Sequence, residues 1–234
     1  MRPPIKIVLT GIVVLLAVSA HAQSITRFDP PDSIDITALS INERGEVTGY
    51  YFDGVGTYGF IRDARGTLTS FDVPGSIATL AQSINNAGAV TGSYTERFAS
   101  HGFIRDARGT ITSCDPPGSI AAAAVGINDA GEVTGAYGDG VAAHNFIRDA
   151  RGAITSFDPP GSIAAQVFGI SNRGEVTGAY ADRLGAHGFI RDARGTFTSF
   201  EVPGAVFTEP FSINSRGEVT GISGGGPSHG FIRR

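Results

Sequence analysis

One heptapeptide decides the fold: FIRDARG at residues 60–66, which returns at a constant interval along the chain. Complete copies begin at Phe103, Phe146 and Phe189, and a shortened copy, FIRR, begins at Phe231. The interval is about 43 residues, a period that is typical of β-propellers and of solenoid arrays.

Two further blocks recur at the same interval and in the same order. The block INERGEVTG at residues 41–49 has counterparts that begin at Ile84, Ile127, Ile170 and Ile213. The block SFDVPG at residues 70–75 has counterparts that begin at Ser113, Ser156 and Ser199, and an N-terminal form, RFDPP, at residues 27–31. Three ordered blocks in each unit predict five repeats of one structural element.

Each unit has the pattern of short antiparallel strands. Val90, Gly92 and Tyr94 alternate with Thr91 and Ser93, which is the period of a β-strand. The segments NNAG and DARG lie between strands and end in glycine, as tight turns with a positive φ require. We predict a four-stranded antiparallel meander, with strands A (Ser-Ile-Asn), B (Val-Thr-Gly), C (Phe-Ile-Arg) and D (Thr-Ser-Phe-Asp).

The phase of the repeat predicts how the sheets assemble. The first strand, residues 25–29, is of type D, and the last, residues 230–233, is of type C, so the N-terminal strand can complete the last sheet. This predicts an all-β fold in which five four-stranded meanders form a small β-propeller closed by the N-terminal strand. An open β repeat array is the alternative, because five sheets are few for a propeller.

The repeated apolar positions predict the core. They form columns at Ile41, Ile84, Ile127, Ile170 and Ile213; at Val47, Val90, Val133, Val176 and Val219; and at Phe60, Phe103, Phe146, Phe189 and Phe231. Cys114 occupies the register of a further phenylalanine column, which begins with Phe28 and Phe71. We therefore expect Cys114 to be buried and unreactive.

The N-terminus has the pattern of a secretory signal peptide. Arg2 and Lys6 precede an apolar stretch at residues 7–18, and the small residues Ala20 and Ala22 flank His21 as signal peptidase requires. We predict a signal peptide at residues 1–22, a five-repeat propeller domain at 23–234, and a secreted or periplasmic location in a bacterium.

Composition excludes several classes of partner. The formal net charge is −4 and Lys6 is the only lysine, so the chain lacks the basic surface that nucleic acids require. No apolar run after the signal peptide is long enough to predict a transmembrane segment. The single cysteine has no partner for a disulfide within the chain.

The combined motifs resemble the bacterial extracellular repeats of the HAF family, which are named after a His-Ala-Phe core. The tripeptide here is His-Gly-Phe at residues 101–103, 187–189 and 229–231, and it departs from that form at Tyr58 and at Asn145. The resemblance covers essentially all of residues 23–234 and implies an exported, propeller-like repeat protein. It implies no reaction and no catalytic residues.

An acidic residue recurs in the loop between strands B and C, at Asp53, Glu96, Asp139 and Asp182. A histidine follows five residues later in three repeats, a pattern that fits metal ligation or a pH-sensitive surface. A polar pair found in most repeats is more typical of turn ordering, because every repeat needs the turn. We therefore predict no metal and no cofactor, and retain the four acids as candidate binding residues.

The residues that break the repeat are the other candidates. The B–C and D–A loops are predicted to be longer and more variable than the A–B and C–D turns. The D–A loops are predicted to contain Asp35, Gln82, Gln166 and Glu209. Neutral drift in these loops is the favoured explanation of the asymmetry, and a pocket near Gln166 and Glu209 is the alternative.

The pattern indicates a non-enzymatic binding or scaffold module, whose partner would be a glycan or a cell-surface protein. The alternative is a propeller-type hydrolase or lyase that acts on a polysaccharide, which needs two or three carboxylates facing one cleft. The enzyme would require Asp35, Glu209 and one B–C acid around the same pocket. We predict no catalytic residues.

Overall fold

The computed structural model describes residues 25–234, which contain 19 β-strands. The strands follow the order A, B, C, D in consecutive groups, which we call repeats one to five. Among the described residues, no helix has the length and hydrophobicity that crossing a membrane requires. The predicted signal peptide at residues 1–22 lies outside the described residues.

The first four groups contain four strands each, and the last contains three. Repeats one and two comprise β1 (Asp35–Ile41), β2 (Val47–Phe52), β3 (Thr57–Arg62), β4 (Leu68–Phe71), β5 (Ala78–Ile84), β6 (Val90–Glu96), β7 (Ala99–Arg105) and β8 (Ile111–Ser113). Repeats three and four comprise β9 (Ala121–Ile127), β10 (Val133–Gly138), β11 (Ala143–Arg148), β12 (Ile154–Phe157), β13 (Ala164–Ile170), β14 (Val176–Ala181), β15 (Ala186–Arg191) and β16 (Phe197–Phe200). Repeat five comprises β17 (Phe207–Ile213), β18 (Val219–Gly224) and β19 (Ser228–Arg233).

Consecutive strands within each group pair in the antiparallel direction, so each repeat is a meander with strand A at one edge. Repeats three and four have the same pairing, and repeat five ends with β19. Single parallel bridges, Thr57 to Ala78 and Ala186 to Phe207, connect neighbouring repeats. The predicted all-β antiparallel architecture is confirmed.

Strand A approaches strand B too closely for a side chain at the glycine of the Val-Thr-Gly block. At Gly135, a Cβ atom would overlap the carbonyl oxygen of Ala123 and would lie 2.7 Å from the ring of Phe146. The approach coincides with a register shift in the pairing of β9 with β10. Glycine recurs at this position because the backbone leaves no room for a Cβ atom.

The threonine and asparagine of the repeated blocks hold the strands and repeats together. Thr134 is buried in β10, and its Oγ1 donates to the carbonyl oxygen of Phe146 at 2.9 Å. The Oδ1 of Asn85 accepts hydrogen bonds from two amides of its own turn, and its Nδ2 donates to the carbonyl oxygen of Asn128 in the next repeat at 2.9 Å. Equivalent bonds recur in other repeats, so these motif residues serve the fold.

The core lies between successive repeats. The buried cluster of repeat two includes Ile84, Val90 and Phe103, and Ile61 and Phe71 of repeat one pack against it. The ring of Phe71 meets that of Phe103 edge-on, with 6.0 Å between centroids. The next two interfaces have the same arrangement. Each fully buried apolar side chain stabilises such an interface by roughly 1.5–3 kcal/mol, so the sheets depend on their neighbours.

Cys114 replaces an aromatic ring in this interface. It is 1% exposed and belongs to the cluster that contains Ile127, Val133 and Phe146. Burial raises the pKa of its thiol to about 12. The prediction that Cys114 is a buried packing residue is confirmed, and the high pKa keeps it in the unreactive thiol form.

The outer faces of the first and last repeats are exposed. Ile41 is 67% exposed, whereas Ile84, at the same position of repeat two, is 5% exposed. Ile232 in β19 is 66% exposed, although its counterpart Ile61 packs against the next repeat. In the described range, substantial contacts between strands lie within one repeat or between adjacent repeats.

The predicted pairing of residues 25–29 with residues 230–233 is not present in the structure. β19 pairs with β18 alone among the described strands, and residues 25–30 have no strand pairing. Phe28 instead packs on the first repeat, where its ring centroid lies 5.9 Å from that of Phe60 and 5.1 Å from Cζ of Arg62. Phe71, the phenylalanine of strand D in repeat one, packs on repeat two in the same way.

The structure corrects the predicted placement of the variable residues. Asp35, Gln82, Gln166 and Glu209 lie in A strands and not in D–A loops, because these seven-residue strands begin well before the Ile-Asn block. The prediction that B–C loops are long is also wrong, since they span two to four residues against five in the A–B and C–D turns. Strand ends, rather than long loops, therefore form much of the variable face.

The close approach at Gly135 predicts a large cost for a single methyl group. We expect Gly135→Ala to lower the free energy of unfolding by roughly 1–3 kcal/mol, because the added Cβ forces β9 away from β10. Urea denaturation followed by circular dichroism measures the change. Gly226→Ala is the control, since a Cβ there meets nothing within 4 Å, and equal stability losses in both variants would contradict the steric explanation.

Candidate functional site

A groove of about 390 Å³ lies between repeats four and five, on the side of the sheets where the B–C loops emerge. Its walls come from residues 164–166 of β13, residues 179–181 of β14, Ala186 of β15 and residues 207–209 of β17. All of these segments are strand ends, so the rigid sheets fix the shape of the groove.

The repeat itself brings Gln166 and Glu209 together. They occupy the same position in strands A of adjacent repeats, where Gln166 pairs with Ala179 and Glu209 pairs with Ile222. Both residues line the groove, as does the half-buried Tyr180. The structure therefore places both residues in one groove, and their binding role stays a prediction.

Two other candidates lie elsewhere. Asp35 is exposed at the start of β1, where its Oδ1 accepts a hydrogen bond from the amide of Ile36 at 3.0 Å. Gln82 lies in the register shift of β5, between the paired residues Ala81 and Ser83. Neither residue lines the groove between repeats four and five.

Three of the B–C acids order their own turns. Oδ1 of Asp53 accepts hydrogen bonds from two turn amides, at 2.8 and 2.9 Å. Asp139 and Asp182 accept equivalent pairs of bonds. These amide donors hold the pKa of each carboxyl below its ordinary value. The geometry matches the turn-ordering explanation of the repeated acid.

Glu96 differs from the other three acids because its loop is shorter. It ends β6 and pairs with Ala99, and Arg97 between them has a φ of 50°. With Arg97 and Phe98, which is fully exposed, it lines a separate surface depression in repeat two. The four B–C acids thus lie one to a repeat and do not converge.

The structure reveals a histidine–carboxylate pair that sequence reasoning missed. Nδ1 of the C-strand histidine contacts the acid after strand D in three repeats, at 2.7 Å for His101–Asp115, 2.8 Å for His144–Asp158 and 2.6 Å for His187–Glu201. The histidine and the acid are fourteen residues apart in all three repeats, and this constant spacing is the feature of the sequence that could have revealed the pair. The sequence pattern had instead associated these histidines with the B–C acids five residues earlier.

His187 contacts carboxylates on both sides. Its Nε2 lies 3.1 Å from Oδ1 of Asp182, its Nδ1 bonds Glu201, and its side chain is 11% exposed. Burial by itself lowers the pKa of His187, but hydrogen bonds and charges from Asp182 and Glu201 raise it above its ordinary value. The ring of Tyr180 packs on the imidazole at 5.1 Å, which connects this cluster to the groove wall.

Three of the histidines, His101, His144 and His187, contact a carboxylate through Nδ1. Within residues 25–234, no group of three or more histidine, cysteine, aspartate or glutamate side chains is arranged to hold a metal ion. In His144 the contacts with Asp158 and Asp139 also raise the pKa. In these three repeats the histidine therefore connects strand C to the acid that follows strand D.

No family model matches the chain, and no curated protein matches it significantly. Solved structures do match. A streptogramin B lyase has 19% identity and a TM-score of 0.56 over 88% of this chain and 67% of the lyase. TolB from Acinetobacter baumannii has 14% identity and a TM-score of 0.62 over 85% of this chain and 51% of TolB. A catalytically inactive histidine-to-alanine variant of virginiamycin B lyase from Staphylococcus aureus, solved with quinupristin, has 13% identity and a TM-score of 0.55 over 86% of this chain and 70% of the lyase.

The fold is propeller-like. The likeness shows the architecture alone, because fold similarity at such low identity does not carry chemistry from one protein to another. The chain also spans only about half the length of TolB and about two thirds of the lyases. The activities in those names belong to those proteins.

The pKa of His187 predicts a pH-dependent contribution to stability. A folded pKa above the unfolded value of about 6.5 means that the stabilisation is complete at lower pH and is lost as pH rises through the folded pKa. We expect the difference in unfolding free energy between the wild type and His187→Gln to shrink as pH increases. Urea titrations between pH 5 and 9 measure this difference.

The control for this prediction removes the two carboxylates. In a chain with Asp182→Asn and Glu201→Gln, the difference caused by the further change His187→Gln should instead grow with pH, because only the burial that lowers the pKa of the imidazole then remains. A stability difference that grows with pH in the otherwise unmodified chain would contradict the assignment.

Proposed function

We propose that this protein is an exported, non-enzymatic binding module that uses the face formed by the B–C loops and the starts of the A strands. The groove between repeats four and five is the observation that carries this proposal, because it lies on that face and contains residues that break the repeat. The propeller-like fold supplies a rigid scaffold on which such a face is positioned.

The distribution of carboxylates favours binding over catalysis. A polysaccharide hydrolase or lyase of the predicted kind needs at least two carboxylates at one cleft, and the groove has only Glu209. Asp35 bonds a backbone amide in repeat one, and the B–C acids lie one to a repeat, three of them held by their own turns. We therefore place the enzymatic alternative second.

The proposal includes export and the class of partner. The signal pattern at residues 1–22 and the resemblance to HAF repeats support secretion or a periplasmic location, with residues 23–234 as the mature domain. A glycan or a cell-surface protein is the partner that an exported scaffold of this kind meets. The whole-chain charge of −4 and the absence of lysine after Lys6 disfavour nucleic acid as the partner.

A glycan array probed with labelled residues 23–234, together with intact cells of the producing bacterium, tests the proposed function. We expect saturable binding without a change in the ligand, because the groove lacks a second carboxylate. Mass spectrometry of the recovered glycan measures turnover. Cleavage would favour the enzyme, and a lack of binding to both glycans and cell surfaces would contradict the binding module.

We further propose that the N-terminal strand closes the propeller. The seating of Phe28 on Phe60 and Arg62 supports this, because it reproduces the contact of Phe71 with Phe103 and Arg105. The open edge of β19 and the exposed Ile41 and Ile232 are the surfaces that closure would cover. In the register of β7 with β8, Arg27 would pair with Phe231, and Asp29 would meet His229.

Closure predicts slow amide hydrogen exchange in β19. By the register of β7 with β8, the amides of Gly230 and Ile232 face the N-terminal strand, so we expect them to be protected in the mature protein and exposed after deletion of residues 23–29, while repeats two to four stay protected. Exchange measured by mass spectrometry at several protein concentrations checks this. Rapid exchange in the intact chain would contradict closure, and protection that requires high concentration would indicate pairing with a second copy.

A further inference from the structure

We infer that the groove between repeats four and five binds a small organic cation with an apolar body, of the arylalkylammonium class. This inference rests on the proposed binding function and specifies the chemistry of the ligand at that groove. Three properties of the groove support this inference. Its walls are apolar, it contains a carboxylate without a protein partner, and its residues differ from those that the other repeats have at the same positions.

The walls of the groove favour an apolar ligand body. Ala164, Ala165 and Ala179 present methyl groups, and the aromatic rings of Tyr180 and Phe207 complete the lining. The volume of about 390 Å³ lies in the range of small-molecule sites. Few polar groups line the groove, so an apolar ligand body would leave few of them without a hydrogen-bond partner on entering it.

Glu209 supplies the charge. Within residues 25–234, its carboxylate makes no hydrogen bond and no ion pair, unlike Asp182 and Glu201, which both contact His187. Thr208 beside it is occupied, since its Oγ1 accepts a hydrogen bond from the amide of Val202 at 3.0 Å. A half-buried carboxylate in an apolar groove attracts a cation and repels an anion.

The aromatic residues reinforce this selectivity. A cation near the face of a tyrosine or phenylalanine ring is attracted by the ring quadrupole. Tyr180 is held in place by a 2.9 Å hydrogen bond from or to Ser199 and by packing on His187, and Phe207 begins β17. A ligand with its ammonium group at the carboxylate of Glu209 and its aryl ring between Tyr180 and Phe207 would contact both the charge and the aromatic side chains of the groove.

The repeat does not explain the presence of Glu209. Thr37, Leu80, Ala123 and Gln166 occupy the same position in the other A strands, so the fold accepts side chains without charge there. Between repeats three and four, Ala164, Ala165 and Gln166 stand where Phe207, Thr208 and Glu209 stand in the groove. The interface between repeats three and four therefore lacks counterparts of the Phe207 ring and of the Glu209 carboxylate.

Three matched probes test the inference: phenethylammonium, the neutral 2-phenylethanol and the anionic 3-phenylpropionate. We expect phenethylammonium to bind residues 23–234 with a dissociation constant on the order of 1 mM, as suits so small a ligand. The alcohol should bind about tenfold more weakly, and the carboxylate should not bind. Chemical-shift changes in isotope-labelled protein report both affinity and location.

Two variants and their controls localise the effect. Glu209→Gln should weaken phenethylammonium binding about tenfold, whereas Glu43→Gln, the same change at an exposed residue of the first A–B turn, should leave it unchanged. Ala179→Ile should block the groove and abolish binding. The fold tolerates a larger side chain at this position between two repeats, since Tyr50 occupies it in repeat one, and Ala136→Ile in repeat three is the control.

The inference is overturned if the neutral probe binds as tightly as the cation, if Glu209→Gln retains full affinity, or if Ala136→Ile abolishes binding together with Ala179→Ile. Thermal melts confirm that each variant is folded. Glycan or cell-surface binding that survives Ala179→Ile, without any cation binding, would leave the proposed module intact and refute the ligand assigned to this groove.

Discussion

Each sheet of this protein has an apolar face that it cannot bury alone, and the contact between successive repeats is the interaction on which the rest depends. Phe71 of one repeat reaches the cluster around Phe103 of the next, and equivalent contacts join the later repeats. The contrast between Ile41, 67% exposed, and Ile84, 5% exposed, shows how completely a preceding repeat covers this face. A single four-stranded meander of this composition would expose too much apolar surface to be stable.

This constraint separates the residues that are available for function from those that are not. The Val-Thr-Gly and Ile-Asn blocks are occupied by backbone contacts, as Gly135 and Thr134 illustrate. Three of the histidines, which are conspicuous in the sequence, are held by carboxylates. The position of Gln166 and Glu209, near the start of strand A, carries no such duty. There the side chain changes from Gln166 to Glu209 between neighbouring repeats without disturbing the pairing of the strands.

Much of the fold was predictable because the repeat supplies the same information several times. The strands, the columns such as Val133 and Phe146, and the burial of Cys114 all followed from register. The histidine–carboxylate pairs were missed because their partners are fourteen residues apart, and the pairing of strands C and D brings them together. The lengths of the A strands were misjudged because their alanine-rich starts, such as residues 121–124, have weak strand propensity and gain order from neighbouring repeats.

The sequence by itself determined that the chain is an all-β repeat protein, which columns supply its core and which positions depart from the repeat, but not that Ile41 of a core column is exposed. Only the tertiary structure decided that Gln166 and Glu209 share one groove while Asp35 and Gln82 lie elsewhere. It also decided that Phe28 packs on the first repeat. The reason is that periodicity specifies a residue's place within one repeat, whereas a groove arises from the distances between two repeats and from the size of the side chains that meet there.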